Sequence, residues 1–229
     1  MKKEKILSPK LINQQIELMH ELYPNNKSEL NRETPFQLLS AVMLSAQSTD
    51  IQVNKATAKF FDKIRNPQDI LDWWFQNLEN GVKSIWLYKT KAKNLFATSK
   101  ILVNEYNGHI SDKMEDLIKL PWVGDKTAKV VLHNLYQQSR VAVDTHIHRV
   151  ANRLGRVKTK TAQKTSEKLE LSINNQNKIH AHNAILLFGR YLCIARNPKC
   201  NICPFTNHCL WYKTHIINKK STKQPPESK

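Results

Sequence analysis

Leu120-Pro121-Trp122-Val123-Gly124 lies between two stretches of helical pattern and runs directly into Asp125-Lys126-Thr127-Ala128-Lys129-Val130-Val131. Pro121 stops the first helix and Gly124 permits a sharp turn, while Leu120 and Val123 are apolar and can point back into the helix pair. The second helix starts at Asp125. Its first backbone N–H groups lack partners inside the helix and point outwards, with the positive end of the helix dipole behind them. A short hairpin that opens a helix in this way can clamp a phosphate without touching a base. The same residues also read as an ordinary corner between two helices.

Lys126 adds chemistry to that corner. A cation in the first turn sits at the wrong end of the dipole, which favours the free amine. A free amine is a nucleophile for carbonyl-like carbon and can form a Schiff base. The plainer reading pairs Lys126 with phosphate or with Asp125. Further on, Val141-Ala142-Val143 leads into Asp144-Thr145-His146. Asp144 can simply cap a helix starting near Thr145. It can equally take a proton from Lys126 or stabilise positive charge developing on a sugar.

Working outward, nearly everything reads as helix. Leu11, Ile12, Ile16, Leu18, Met19 and Leu22 recur at helical spacing until Tyr23-Pro24. Thr34 caps a second helix with Pro35 at its first position, apolar nearly all round and therefore central. Ser48-Thr49-Asp50 is a cap-rich break, with a further helix expected through Phe60, Phe61 and Ile64, and Asn66-Pro67 opens the next. The segment from Gly81 to Tyr106, the turn Asn107-Gly108 and a short helix from Ser111 to Lys119 precede the hairpin. No stretch alternates with period two and no solenoid repeat is present, so the fold class is all-α. From about Lys213 the chain is polar, Lys-rich and broken by Pro225-Pro226, and is expected to be a mobile basic tail.

The 229 residues carry 36 Lys and Arg against 19 acidic residues, a net charge of +17. An excess of that size favours a polyanion through counterion release and steering, and nucleic acid is the expected partner. The opening MKKEKILSPK has no apolar core of a signal peptide, and no run is long enough to span a bilayer, so a cytoplasmic protein is expected.

All four cysteines fall in one stretch, Cys193, Cys200, Cys203 and Cys209, spaced C-x6-C-x2-C-x5-C. Disulfides are disfavoured in a reducing compartment. Four thiolates suit tetrahedral zinc or an iron–sulfur cluster. Composition does not choose between them, but a single C-x2-C flanked by gaps of six and five leans towards a cluster.

LPWVGDKTAKVV, VAVDTHIHRV, LLSAVMLSAQSTD and GRYLCIARNPKCNIC with the final Cys209 together resemble bacterial endonuclease III, of the helix-hairpin-helix DNA glycosylases. The resemblance runs from about Leu30 to Cys209. It implies two helical domains with DNA bound across the cleft between them. One is a six-helix barrel (28–138, hairpin 120–124). The other is a cluster domain built from both chain ends (1–27 and 139–212), with the tail from 213 to 229 outside both. It implies removal of oxidised pyrimidines from double-stranded DNA followed by β-elimination at the abasic site. By position, Lys126 looks like the nucleophile on C1′ of the damaged nucleotide and Asp144 like its assisting carboxylate. The four cysteines look like ligands of a [4Fe–4S] cluster. Gln47 and Leu87 look like the residues that fill the gap left by a flipped base, where residue pattern alone gives a solvated helix end and a core leucine. Flipping is required because a stacked base hides its sugar carbon.

Among further contacts, Trp122 and Gly124 belong to the hairpin, Arg196 and Lys199 are candidates for phosphate, and Thr145 and His146 for the pocket, with solvated charge and helix capping as their plain readings. A monomer is expected. The family hairpin usually reads LPGVG, so Trp122 stands in a glycine position. In a type II turn that position needs φ > 0, which costs tryptophan roughly 1–2 kcal/mol. Trp86 also stands where the family commonly has glycine, and Asp125 sets a carboxylate beside a phosphate site. The rivals are a monofunctional adenine glycosylase and a non-catalytic DNA-binding protein with structural zinc or a redox-sensing cluster. Lys126 and the short tail argue against the first, Lys126 with Asp144 against the second. An RNA-binding helical module would lack its aromatic stacking surfaces.

Overall fold

Helix starts follow the caps written in the sequence. In the computed structural model, which describes residues 6–24 and 29–217, Ser8 caps α1 (Pro9–Leu22). Thr34 and Gln37 form a capping box at α2 (Pro35–Ser45), Thr49 and Gln52 at α3 (Asp50–Thr57), and Asn66 and Asp69 at α4 (Pro67–Asp72). Each box satisfies two N–H groups that a helix start leaves open. There follow α5 (Phe75–Gly81), α6 (Tyr88–Tyr106), α7 (Met114–Leu117), α8 (Asp125–Tyr136), α9 (Thr145–Leu154), α10 (Ala162–Ser172), α11 (Asn175–Tyr191) and α12 (Leu210–Tyr212). Among the described residues there is no strand, and no helix is long and apolar enough to cross a membrane.

The chain divides into two compact units, Ser28–Gln138 and Met1–Lys27 with Ser139–Lys229. In the first, α2 is central: Phe36 through Leu44 are all buried, against α3, α6 and α8. In the second, α11 packs along both α1 and α9, and its core joins Ile12, Ile16 and Met19 to Ile147, Val150, Ile185 and Phe188.

Three boundaries differ from the sequence reading. Phe60, Phe61 and Ile64 are buried, but α3 ends at Thr57 and they lie in successive turns. Apolar spacing of three to four reports the buried side, which a chain of turns can present as well as a helix can. The helix expected from Ser111 to Lys119 shrinks to Met114–Leu117, because the Ser111 hydroxyl donates to Asp116 Oδ2 at 2.8 Å and accepts from Lys113 N–H. Such local side-chain bonds compete with a helix start. At the C-terminus, Lys213–Ile217 continues the chain as a π-helical turn, with His215 stacked on Trp211. That turn takes in five residues of the expected tail, and 218–229 lie outside the described residues.

Candidate functional site

The hairpin forms as turn chemistry requires. Val123 N–H donates to Leu120 C=O at 3.1 Å, and Trp122 at φ +65° occupies the left-handed position of a type II turn. Tryptophan therefore keeps the strained conformation, and the side chain stays 40% exposed. Thr98 Oγ1 on α6 donates to Pro121 C=O and ties the turn down. Gly124 departs from expectation. Its φ of −89° is ordinary, and a Cβ there would meet nothing within 4 Å. The turn does not need this glycine. It leaves open space in front of α8, which starts without a side-chain cap.

Lys126 is the second residue of α8 and is exposed. The pairing with Asp125 does not form: Asp125 Oδ2 lies 3.4 Å from Lys129 Nζ, one turn on. Gln47 and Leu87 belong to the same unit. Both are exposed, and both have φ +56°. Leu87, at 39% exposure, is not a core leucine, and it precedes α6 without a side-chain cap. Left-handed non-glycine residues cost roughly 1–2 kcal/mol each and gather where function over-determines the backbone. Trp86, beside Leu87, is 67% exposed.

In the other unit, Asp144 caps α9, its Oδ1 accepting from Ile147 N–H at 2.8 Å. The capping role thus occupies one carboxylate oxygen and leaves Oδ2 for other work. Thr145 is exposed. His146 packs against Gly189 of α11, where a Cβ would stand 3.1 Å from that of His146, so only glycine lets the helices approach this closely. Burial lowers the His146 pKa against the opposing pull of Asp144, and Arg149 Nη2 lies 3.2 Å from its Nδ1.

No two of the four cysteines are bridged to each other, and all four line one small pocket, with Arg153, Phe188 and Trp211 in its wall. Burial pushes the thiols of Cys200 and Cys209 up, and that of Cys203 to about 11. A pocket that favours neutral thiols holds thiolates only around compensating positive charge. A tetrahedral zinc needs its sulfurs about 2.3 Å from one point. Four thiolates are equally the donor set of an iron–sulfur cluster.

Two arginines that the sequence reading missed hold this region. Arg149 donates to Cys193 C=O (3.2 Å) and Gly189 C=O (2.9 Å). Arg153 donates to Ile194 C=O (2.7 Å) and Ala195 C=O (2.8 Å), lies 3.7 Å from Cys193 Sγ, and stacks over Trp211. Their spacing of four along α9 was the available signal. Arg196 and Lys199, on the loop these bonds anchor, are exposed.

A profile of the HhH-GPD superfamily of base excision DNA repair proteins matches residues 40–175, and one of the iron–sulfur binding domain of endonuclease III matches residues 193–209. Endonuclease III of Rickettsia felis is 41% identical over 213 residues, covering 93% of this chain and 100% of that protein. That of Escherichia coli is 40% identical over 191 residues, covering 83% and 90%. A solved trapped endonuclease III–DNA covalent intermediate, an estranged-adenine complex, matches with a TM-score of 0.86 at 36% identity, covering 91% of this chain and 99% of that one. The cofactor is accordingly an iron–sulfur cluster of the [4Fe–4S] type. An all-helical chain with a hairpin-mounted lysine, a free carboxylate oxygen and a cysteine-lined cavity, matched along nearly its whole length, belongs to the endonuclease III family of base excision repair DNA glycosylases.

Proposed function

We propose that this protein is a bifunctional DNA glycosylase and abasic-site lyase that removes oxidised pyrimidines from double-stranded DNA. It acts as a monomer, in the cytoplasm at the nucleoid. The unit Ser28–Gln138 serves as the barrel domain and the other unit as the cluster domain, with Cys193, Cys200, Cys203 and Cys209 holding the [4Fe–4S] group. Bound there, that group would offset part of the charge of the four thiolates and would close the loop between them.

The uncapped start of α8 receives a phosphate, and Arg196 and Lys199 bind the backbone elsewhere. Gln47 and Leu87 fill the stack as the damaged nucleotide turns out. The Lys126 amine attacks C1′, the bond from C1′ to the base breaks with its electron pair leaving on the base, and Asp144 stabilises the positive charge that develops on the sugar. The C1′–O4′ bond then breaks, O4′ taking up the proton lost by the amine, to give the ring-opened Schiff base, which loses a proton from C2′ as the C3′–O bond breaks and the 3′ phosphate leaves by β-elimination.

The observation that carries this reading is Lys126 itself, an exposed amine on an open helix start whose neighbour in sequence, Asp125, pairs with Lys129. Borohydride reduction in the presence of a duplex containing thymine glycol should trap a covalent adduct, and Lys126→Gln should abolish it while duplex binding persists. An adduct retained in Lys126→Gln would assign the chemistry to another amine.

A further inference from the structure

Lys89 and Lys93 face water, but Lys91 between them is buried at 2% exposure. Its ammonium crosses from α6 to the end of α2, where Nζ donates to Leu44 C=O at 2.8 Å and to Ser48 Oγ at 2.9 Å. Among the described residues no carboxylate pairs with it. Those two acceptors bracket Gln47. At its other end, Lys91 N–H donates to Leu87 C=O at 3.0 Å. The Lys91 side chain is therefore bonded on both sides of Gln47 while its backbone belongs to the helix turn that Leu87 opens, so one residue joins two exposed, left-handed positions.

A helix C-terminus can be closed by a left-handed glycine or asparagine with no buried charge. Here burial alone pulls the Lys91 ammonium down to about 8, with no acid opposing the shift. So unfavourable a device is expected where it fixes a geometry that function uses. Two strained side chains that must enter a duplex from separate loops need a fixed separation, and a single short cross-link supplies it.

We propose that Lys91 is a positioning residue that locks the Gln47 and Leu87 loops together, so that both side chains enter the duplex as one rigid wedge when a nucleotide is turned out. This rests on the gap-filling roles proposed above. A gap exists only in a duplex, because a single strand offers no stack to fill. The test compares borohydride adduct formation by cluster-loaded, full-length protein on abasic DNA as a duplex and as the same strand alone.

Lys91→Met should slow adduct formation on the duplex tenfold or more and leave the single-strand rate within twofold. Equal losses on both substrates would reduce Lys91 to a stability role and overturn the proposal, as would wild-type rates on both. If Lys91→Met does not fold, Ser48→Ala decides by the same ratio, since it removes one of the two bonds at a half-buried loop position. A duplex-selective loss of threefold or more supports the wedge, and an unchanged ratio refutes it. Wild-type protein that forms no adduct on either substrate would refute the lyase reading of Lys126 and the wedge with it.

Discussion

Replacing Trp122 by glycine and by alanine separates the backbone strain of the hairpin from its packing. Trp122 sits at φ +65° with 40% of its surface exposed, so roughly three-fifths of a side chain worth about 200 Å² is buried. At about 25 cal/mol per Å² that burial contributes up to about 3 kcal/mol, an upper bound set by the extended reference chain. It exceeds the roughly 1–2 kcal/mol that the left-handed backbone costs, so the tryptophan is a net stabiliser despite its strain. Trp122→Gly relieves the strain but loses the packing and adds about 0.5–1 kcal/mol of chain entropy, for a net loss of about 2 kcal/mol. Trp122→Ala loses nearly the same packing and keeps the strain, for a net loss of about 3 kcal/mol. Alanine should therefore be the less stable variant by about 0.5–1 kcal/mol, the reverse of the order expected at a position with negative φ. Urea unfolding followed by tryptophan emission reports mainly on this unit, since Trp73, Trp74, Trp86 and Trp122 lie in it and Trp211 in the other. An alanine variant as stable as the glycine variant would mean that position 122 does not hold a left-handed backbone in solution.

Three further outcomes are expected. Asp144→Asn keeps an efficient helix cap, so its melting temperature should stay within about 1 °C of wild type while single-turnover base release falls about 10²-fold or more, whereas Asp144→Ala should also lose about 1 kcal/mol of stability. Arg153→Lys keeps the charge but not the fork that spans Ile194 C=O and Ala195 C=O, so bleaching of the visible cluster absorbance in air should accelerate several-fold, and more so in Arg153→Met. Lys91 falls from the ordinary 10.5 to about 8 on folding, so between those pH values the folded state binds fewer protons than the unfolded one and stability rises with pH. The penalty, on the order of 3 kcal/mol, is complete below pH 8 and gone above 10.5; urea titrations at pH 7 and pH 10 should show a rise in wild type that Lys91→Met flattens, and parallel curves would refute it.

What the sequence disclosed was local chemistry, and what it withheld was contact at long range. Thr34-Pro35, Thr49, Asn66-Pro67 and Asp144 begin helices where they stand because a cap is satisfied within three residues of itself. The left-handed backbone at Trp122 follows equally from the proline before it. Lys91 could not be found this way. It lies in a Lys-rich run that reads as a solvated face, and its carbonyl partner is 47 residues away. Leu87 reads as core because leucine usually is, and only the fold shows it standing out on a strained backbone. Gly124 shows the opposite error: its identity suggested a turn requirement, while its φ is one that any residue adopts.

The arginines of α9 explain how a cluster that performs no hydrolysis can still serve the chemistry. Between Cys193 and Cys209 the chain forms only two 3-10 turns, Cys200–Ile202 and Thr206–His208, and of its non-cysteine side chains Phe205 alone is buried, tilted against Phe188. So little apolar burial cannot offset the entropy of ordering such a loop, and a multidentate group bound by its cysteines can. A closed loop still needs a reference frame. Arg149 and Arg153 give it one by bonding four carbonyls between Gly189 and Ala195 to the helix that Asp144 caps. At about 1.5 Å per residue, the ten residues of α9 form a rigid strut of about 15 Å. The carboxylate at one end and the basic loop at the other are then fixed to each other through the helix and through arginine side chains bonded to backbone carbonyls, which do not depend on which base is in the DNA. A lysine at either position would supply charge without the planar fork that reaches two carbonyls at once. Geometry, more than charge, is what these arginines contribute.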